Sequence, residues 1–387
     1  MRILYAVNSL YFLRSHRYPL VAEARRRDWE VHVICGPDHD GRDAVAREAF
    51  DRLGCIIHDI SLTRAGTGPA ELWRTSAEIR RVYRTVRPDL AHHITPKLVT
   101  LGSMAARWER VPAVVNAISG LGFMFSGSGL RFRLTALLAT VLYRSALQHP
   151  NQVIVVQNER DRATLERLPL PQSSRFEHFY GSGVDLLRFA PKPLPVGVPI
   201  VVLAARLLKD KGIHDFAAAG RMLRTNGVKI RLALCGSLDP GNPAGLSQRE
   251  LDWLVSDGTL EYWGQRSDMA DVYGDATIAC LPTFYGEGLP LALAEAAACG
   301  RAVVTTDLPG CRDTVRDGIS GYLVPPRNPT ALADALGRIA LDRGLAERMG
   351  RESRVLAEER FAVESVVDGH FRIYEELMIR SELGRRP

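Results

Sequence analysis

The sequence predicts an α/β protein made of two Rossmann-like domains, each with a parallel β-sheet covered by helices. Three observations lead to this prediction. The chain has 387 residues, more than one hydrophobic core usually organises. Short apolar runs alternate with segments whose apolar residues recur at helical spacing. The apolar runs are continuous rather than alternating, which is typical of strands buried on both faces of a parallel sheet.

The predicted strands fall into two similar series. The first half of the chain contains MRILYAVN (1–8), WEVHVICG (29–36), LAHHI (90–94), AVVNAIS (113–119) and QVIVVQ (152–157). The second half contains PIVVLAAR (199–206), IRLALCG (230–236), LEYWG (260–264), ATIACLP (276–282) and RAVVTT (301–306). Segments such as TSAEIRRVYRTVRP (75–88) predict the helices between them. Ligands of such sheets bind at the carboxyl ends of the strands, so the site is expected in a cleft across which the two domains face each other.

A proline-rich segment separates the two series. PKPLPVGVP (191–199) has the composition of an inter-domain linker. The predicted domains therefore cover residues 1–190 and 191–387. A helical pattern from about Val355 to Arg380 predicts a C-terminal helix, and whether it packs back on the first domain stays open.

The composition excludes several classes of protein. With 46% apolar and 24% charged residues, the chain is typical of soluble globular proteins. The longest uncharged apolar run, Leu134 to Tyr143, has about half of the ~20 residues that a membrane span needs. The first residues pass directly into a strand pattern, so no signal peptide is expected. Six scattered cysteines without metal-ligand spacing indicate reduced thiols and a cytoplasmic protein.

Positive charge is concentrated in the first predicted domain. Residues 1–190 carry 26 Lys and Arg against 18 Asp and Glu, whereas residues 191–387 carry 24 against 26. This excess indicates an anionic partner such as nucleic acid, a phospholipid surface or a phosphorylated substrate. A solvated, arginine-rich surface without a partner is an equally good explanation.

Two glutamates flank a predicted helix start. In FYGEGLPLALAEAAACG (284–300), Glu287 precedes Pro290, a favourable first helical residue, and Glu295 lies inside the helix. The free N–H groups of the first helical turn and the positive end of the helix dipole favour a diphosphate there. One carboxylate on each side of the diphosphate could accept hydrogen bonds from hydroxyl groups. This arrangement matches a nucleotide-sugar, which carries ribose on one side and a sugar on the other.

These motifs resemble those of retaining glycosyltransferases of family 4, which have the GT-B fold. The resemblance rests on EGLPLALAEAAACGRAVVTTDLPGCRDTVRDGISGYLVPP (287–326), AARLLKDKGI (204–213), LALCGS (232–237) and YWGQRSDMADVYGDA (262–276). In the first half, NSLYFLRSHRYPL (8–20), HHITPK (92–97) and NAISGLGFMFS (116–126) resemble the members that extend lipid-linked oligosaccharides for bacterial surface polysaccharides. The similarity covers nearly the whole chain.

The resemblance implies roles for individual residues. Glu295 would bind the ribose, Glu287 the transferred sugar, and Arg206 and Lys211 the leaving diphosphate. Glu287, Arg206 and Lys211 are therefore the predicted catalytic residues. The predicted donor-binding residues are Arg206, Lys211, Gly236, Gly264, Arg266, Glu287, Gly288, Leu289 and Glu295. Because two fixed cations can neutralise the leaving group, no metal or other cofactor is expected.

The function expected from this resemblance is transfer of a sugar from a UDP-sugar to a polyprenyl-diphosphate-linked sugar, with retention of configuration. No nucleophile of the protein is evident, so the leaving phosphate would take the acceptor's proton on the same face. The enzyme would be cytoplasmic and peripheral on an anionic membrane, with no nucleic-acid partner. Two alternatives stay open: a nucleotide-sugar 2-epimerase of the same architecture, and a non-catalytic sugar-nucleotide-binding assembly protein.

Acceptor-binding candidates lie in the first half of the chain. They are His16, Arg17, His93 and Lys97. His92 and His93 are neighbours in a predicted strand, so their side chains point to opposite faces and at most one faces the cleft.

Two other segments are open to more than one interpretation. The Asp38-His39-Asp40 pattern is one by which another glycosyltransferase fold holds a divalent metal, but its position in the polar loop GPDHDGRD after an early strand favours a solvated turn. Residues 119–145 combine a glycine-rich opening with Arg131, Arg133 and Arg144 around an apolar run. They predict either a core helix behind a loop or an amphipathic membrane-surface element.

Overall fold

The protein forms two compact units. A computed structural model describes residues 1–37, 41, 43–62, 68–118 and 130–383, although not the side chains of residues 69, 130–136 and 138. Unit 1 comprises Met1–Ser182 together with Glu364–Pro387, and unit 2 comprises Gly183–Val363.

Unit 1 is built on a seven-stranded sheet in which every neighbouring pair is parallel. The strand order is β3-β2-β1-β4-β5-β6-β7, so the direction of winding reverses between β1 and β4. The strands are β1 (Arg2–Val7), β2 (Glu30–Cys35), β3 (Ile56–Asp59), β4 (Leu90–Ile94), β5 (Ala113–Ile118), β6 (Gln152–Val156) and β7 (Arg175–His178). The helices up to this point are α1 (Leu10–Arg26), α2 (Asp43–Arg52), α3 (Pro69–Val86), α4 (Pro96–Trp108), α5 (Leu130–Ala146) and α6 (Glu159–Leu165).

Unit 2 is built on a six-stranded parallel sheet of order β10-β9-β8-β11-β12-β13. Its strands are β8 (Ile200–Ala204), β9 (Arg231–Cys235), β10 (Leu260–Gly264), β11 (Ile278–Leu281), β12 (Ala302–Thr306) and β13 (Gly321–Val324). Its helices are α7 (Ile213–Thr225), α8 (Gln248–Val255), α9 (Met269–Gly274), α10 (Leu291–Ala298), α11 (Pro329–Leu341) and α12 (Arg343–Arg360). The predicted α/β class with two Rossmann-like parallel-sheet domains is confirmed.

The last helix, α13 (Val363–Leu383), belongs to unit 1 from Glu364 onward. Its Phe371, Tyr374 and Leu377 are buried in the same hydrophobic cluster as residues of β1 and β2. The expected C-terminal helix is thus two helices, α12 and α13, separated at Phe361, which is fully buried.

The proline-rich segment lies inside unit 2, after the division at residues 182 and 183 rather than at the predicted 190/191 boundary. Its carbonyls at Leu194 and Pro195 accept hydrogen bonds from the Arg343 guanidinium at 2.9 and 2.8 Å. The carbonyl of Lys192 accepts from Arg301 at 2.5 Å. The segment therefore follows the surface of unit 2, because arginine side chains satisfy its backbone acceptors.

Two further properties bear on the sequence-based expectations. All six cysteines are free thiols and buried. Among the described residues, no helix is both long enough and apolar enough to cross a membrane.

Candidate active site

The predicted donor-binding residues of unit 2 gather at one edge of its sheet, where the strands end. Strands β8 and β11 are neighbours, and the winding direction of the sheet reverses between them. Arg206 follows β8 and Glu287 follows β11. This switch point is where open α/β sheets bind their ligands.

Lys211 and Glu287 form an ion pair between Nζ and Oε1. Both side chains are 14% exposed, so the pair is largely shielded from water. The hydroxyl of Thr283 lies 3.3 Å from the same Glu287 oxygen. The cation expected to hold the diphosphate is thus bound to the acid expected to hold the sugar.

Asp210 brings these two residues together through its backbone. Its carbonyl accepts hydrogen bonds from the Phe284 amide at 3.0 Å and from the Thr283 hydroxyl at 2.9 Å. The loop that carries Glu287 is therefore fixed to the turn that carries Lys211. The Oδ1 atom of Asp210 is buried and has no hydrogen-bond partner among the described residues, and burial raises the pKa of this carboxyl.

Arg206 is held by an acid that the sequence analysis did not identify. Its Nη1 donates to Asp239 Oδ2 at 3.0 Å, and the Asp239 side chain is 9% exposed. The Arg206 side chain is 54% exposed, so much of the guanidinium faces solvent at the sheet edge. A fixed but accessible guanidinium of this kind is suited to bind a phosphate.

The backbone at the start of α10 is available to an anion. Among the described residues, no acceptor meets the amide N–H groups of Gly288 and Leu289. The backbone of Gly310 packs closely against this loop. A Cβ atom at Gly310 would lie only 1.8 Å from the carbonyl oxygen of Gly288, so a larger residue would displace the loop. The φ of 82° at Gly310 is also a conformation that favours glycine.

Glu295 lies in α10, within the helix that follows Gly288 and Leu289, and is partly buried. Burial raises its pKa to about 7, and the positive charge of Arg188 opposes that increase. Tyr273 on α9 is also close enough to interact electrostatically with Glu295, and its buried hydroxyl has no hydrogen-bond partner in the part of the chain that the structure describes. The carboxylate is therefore near the midpoint of its titration at neutral pH, which makes its charge sensitive to what binds beside it.

The predicted base-binding loop is connected to this site through Gly236. The Gly236 amide donates to the Gly264 carbonyl at 2.8 Å, which joins the ends of β9 and β10. A Cβ atom at Gly236 would lie 1.8 Å from the carbonyl oxygen of Ala205, so the end of β8 is in contact as well. Arg266 forms a two-pronged ion pair with Asp268, at 2.8 and 2.5 Å.

In unit 1, both neighbouring histidines are fully buried. His93 Nε2 is 2.7 Å from the Tyr83 hydroxyl, and its Nδ1 is 2.8 Å from Asn116 Oδ1. His92 Nδ1 is 2.7 Å from the Tyr374 hydroxyl on the other face of the sheet. Burial lowers the pKa of His92 and lowers that of His93 to about 4. With both ring nitrogens of His93 engaged inside the core, its position favours a structural role over the predicted acceptor-binding one.

The other acceptor-binding candidates occupy different environments. Arg17 is 3% exposed and donates to the Gly181 carbonyl at 3.4 Å, and burial lowers its pKa to about 10. This position also favours a structural role. His16 is partly buried, with its ring stacked on Phe12 at 4.2 Å. Lys97 lies in the first turn of α4 at the end of β4, and burial lowers its pKa. Lys97 therefore follows the carboxyl end of a strand, which is the ligand-binding edge of such a sheet.

The Asp38-His39-Asp40 pattern lies outside the described residues. Within the part of the chain that is described, no group of three His, Cys, Asp or Glu residues is placed to hold a metal ion.

Comparison with known families identifies the chain. Residues 188–355 match the model of "Glycosyl transferases group 1", and residues 2–158 match that of "Glycosyl transferase 4-like". Each model matches one of the two sheets, in the order expected from the motifs. The chain is a family 4-like glycosyltransferase of the GT-B fold.

Curated relatives resemble this glycosyltransferase along most of its length. One is the N,N'-diacetylbacillosaminyl-diphospho-undecaprenol alpha-1,3-N-acetylgalactosaminyltransferase of Campylobacter jejuni, 26% identical over 366 residues, which cover 91% of this chain and 93% of the relative. Another is the capsular polysaccharide biosynthesis glycosyltransferase CapM of Staphylococcus aureus, 23% identical over 368 residues, with 92% and 93% covered.

Solved structures share the fold of this glycosyltransferase. Sucrose-phosphate synthase from Thermosynechococcus elongatus superposes with a TM-score of 0.78 at 19% identity, over 98% of this chain and 100% of that one. Anabaena HepE in complex with UDP and glucose gives a TM-score of 0.75 at 17% identity, over 97% and 99%.

Four residues at the site of this glycosyltransferase were missed by sequence reasoning: Asp239, Thr283, Gly310 and Arg188. Asp239 and Thr283 act through contacts with residues far away in sequence, which a motif does not reveal. Gly310 did carry a local signal, since it follows a proline in the loop after β12, and a Pro-Gly pair marks a turn.

Proposed function

We propose that this glycosyltransferase moves a sugar from a UDP-sugar to a polyprenyl-diphosphate-linked sugar in surface polysaccharide biosynthesis, with retention of configuration. The observation that carries the proposal is the arrangement of Arg206, Lys211 and Glu287 beside the open amide groups at the start of α10. Two cations next to free amides suit a diphosphate, and an adjacent carboxylate suits a hydroxylated sugar.

Arg206 and Lys211 stabilise the leaving group in this mechanism. As the bond between the sugar and the diphosphate breaks, negative charge grows on the β-phosphate. Fixed cations lower the energy of that charge without any metal ion, so the reaction proceeds in the presence of a chelator. The leaving phosphate oxygen accepts the proton of the acceptor hydroxyl, on the face from which the new bond forms.

Donor binding also changes the ion pair between Lys211 and Glu287. Without a donor, each side chain neutralises the other in a largely shielded position. When the diphosphate engages Lys211, the Glu287 carboxylate becomes free to accept hydrogen bonds from the sugar hydroxyls. Glu287 therefore contributes to binding of the sugar rather than to binding of the nucleotide.

The nucleotide half of the donor lies towards Glu295 in this proposal. Ionised Glu295 accepts hydrogen bonds from the two ribose hydroxyls, and the loop with Gly264 and Arg266 contacts the base. The UDP complex of HepE, which has the same fold, supports the choice of UDP. The acceptor is inferred from the Campylobacter relative, whose name specifies a diphospho-undecaprenol-linked sugar.

A lipid-linked acceptor requires the enzyme to work at a membrane surface, on its cytoplasmic face. Helix α5 has features that support this. Leu137 and Val141 on one side of the helix are 62% and 54% exposed, whereas Tyr143 on the other side is 2% exposed. Arg144, one turn after Val141, is exposed as well. Exposed apolar side chains next to an exposed arginine fit the interface of an anionic bilayer.

Co-sedimentation with liposomes tests the membrane part of the proposal. Wild-type protein is expected to bind anionic vesicles at low salt and to be released by high salt. Replacing Arg131, Arg133 and Arg144 together with Gln should weaken binding, as should Leu137→Ser combined with Val141→Ser. A control pair, Leu341→Ser with Val355→Ser, changes exposed apolar residues of unit 2 and should leave binding unchanged. Equal binding by all variants would contradict the assignment of this surface.

Product analysis tests the reaction itself. UDP-sugars are incubated with the protein, with and without a polyprenyl-diphosphate-linked sugar, and mass spectrometry follows UDP and the extended lipid. Acceptor-dependent release of UDP, insensitive to EDTA, is expected. Isomerisation of the donor without acceptor would identify an epimerase instead, and binding without turnover would identify a non-catalytic protein. Loss of activity in EDTA that manganese restores would refute the metal-free mechanism.

A further inference from the structure

We propose that Arg188 is a positioning residue of the donor site, which holds the base-binding loop and supplies the positive charge that Glu295 faces. This inference rests on the proposed function, because it assigns Glu295 to the ribose of a nucleotide. It goes further in naming a residue that links the two parts of the site that recognise the nucleoside.

The first observation is the anchoring of Arg188 itself. Its amide donates to Asp185 Oδ1 at 2.9 Å, which fixes the local turn. Its guanidinium lies 5.2 Å from the ring centre of Phe189, and Phe189 is buried. The side chain is thus directed by its neighbours, although it is exposed to solvent.

The second observation is the contact with the base-binding loop. Arg188 Nη2 donates to the carbonyl of Ser267 at 3.3 Å. Ser267 lies between Arg266 and Asp268, which form the ion pair described above. A hydrogen bond to the carbonyl between them restrains the loop without using its side chains.

The third observation is electrostatic. Three described groups interact electrostatically with Glu295: Arg188, the Tyr273 hydroxyl on α9 and the Cys299 thiol after α10. Burial raises the pKa values of Tyr273 and Cys299, so both are neutral at pH 7. Arg188 is the cation of this set, and it favours the ionised form of Glu295 against the effect of burial.

A pH-dependent effect on nucleotide binding follows. Ionised Glu295 is the better acceptor for two ribose hydroxyls, and removing Arg188 makes ionisation less favourable. Because Arg188 is exposed, its influence is screened, and we expect the pH below which UDP binding weakens to rise by about 0.5–1 unit in Arg188→Gln. For a group half-ionised near neutrality, this corresponds to a loss of UDP affinity of about two- to fivefold at pH 7, and to almost no loss at pH 9.

Calorimetric titration with UDP from pH 6 to pH 9 tests the inference. The quantity compared is the ratio of the dissociation constants of Arg188→Gln and wild type at each pH, since the titration of the UDP phosphate cancels in this ratio. We expect the ratio to fall towards one as the pH rises, and Arg188→Lys to behave more like wild type. When Glu295 is already replaced with Gln, adding Arg188→Gln should change the dissociation constant of UDP by the same factor at every pH.

Arg224→Gln is the matched control, because it also removes one exposed arginine from unit 2, at the end of α7. It should leave UDP binding unchanged at every pH. A ratio for Arg188→Gln that does not change with pH would overturn the inference while leaving the proposed function intact. Absence of UDP binding by wild type at pH 8 would overturn the proposed function, and this inference with it.

Discussion

Replacing Glu287 with Gln should slow sugar transfer without weakening the binding of UDP. Most active-site substitutions weaken both. The substitution removes the carboxylate that neutralises Lys211 in a position where both side chains are 14% exposed. A charged hydrogen bond contributes about 1.5–3 kcal/mol, so loss of the one to the sugar should slow transfer by about 10- to 150-fold. UDP carries no transferred sugar, and it no longer competes with Glu287 for Lys211. Its affinity should therefore stay equal or rise by up to about tenfold.

Calorimetric titration with UDP at pH 8, combined with an assay of acceptor-dependent UDP release, measures both quantities. Glu295→Gln is the comparison, since it should weaken UDP binding by about 10- to 150-fold if Glu295 holds the ribose. A thermal unfolding curve for each variant checks that the fold is retained. If Glu287→Gln weakens UDP binding by tenfold or more, Glu287 belongs to the nucleotide site, and the proposed division of roles is refuted.

Three further predictions concern the leaving group, the loop and the core. Lys211→Ala should reduce turnover more than UDP-sugar affinity, because the diphosphate gains charge as the bond breaks; equal losses in kcat and in binding would contradict this. Gly310→Ala should abolish transfer, since the new Cβ would lie 1.8 Å from the Gly288 carbonyl oxygen, whereas Gly258→Ala, with open space around it, is the control for replacing a glycine of positive φ. Stability should fall as the pH drops below about 6.5, because burial lowers the pKa of His92 and lowers that of His370 to about 3, whereas the unfolded chain binds protons at both; the His370 contribution is about 2 kcal/mol between pH 8 and pH 5. Urea denaturation at the two pH values measures this, and equal midpoints would contradict it.

The strands show which part of the fold the sequence predicts. Central strands such as β4, β5 and β6 are buried at every position, so short, mostly apolar segments without charged residues marked each of them. The strands that were missed, β3, β7 and β13, lie at sheet edges. Partial exposure gives β3 and β7 mixed sequences such as RFEH, which carry neither a continuous nor a cleanly alternating apolar pattern.

The site shows a similar limit. The motifs identified Lys211 and Glu287 separately, but their ion pair joins residues on different loops and depends on the Asp210 carbonyl. The alternation of side chains correctly sends His92 and His93 to opposite faces of the sheet. The sequence predicted that both faces of the sheet are covered, but it did not reveal which side chains meet the histidines, Tyr374 on one face and Tyr83 on the other. That depends on the return of α13 to unit 1, which a local pattern does not encode.

The return of α13 also determines the order in which the protein can fold during synthesis. Unit 2 is continuous in the chain, from Gly183 to Val363, whereas unit 1 is completed only by residues after Glu364. Unit 1 is therefore the first unit to be synthesised and the last to be able to complete its folding. Until α13 emerges, the nascent first half exposes the apolar surface that Phe371 and Leu377 later cover, and the second half can already be folded. A stop codon near the end of the gene would thus damage the domain encoded at its beginning.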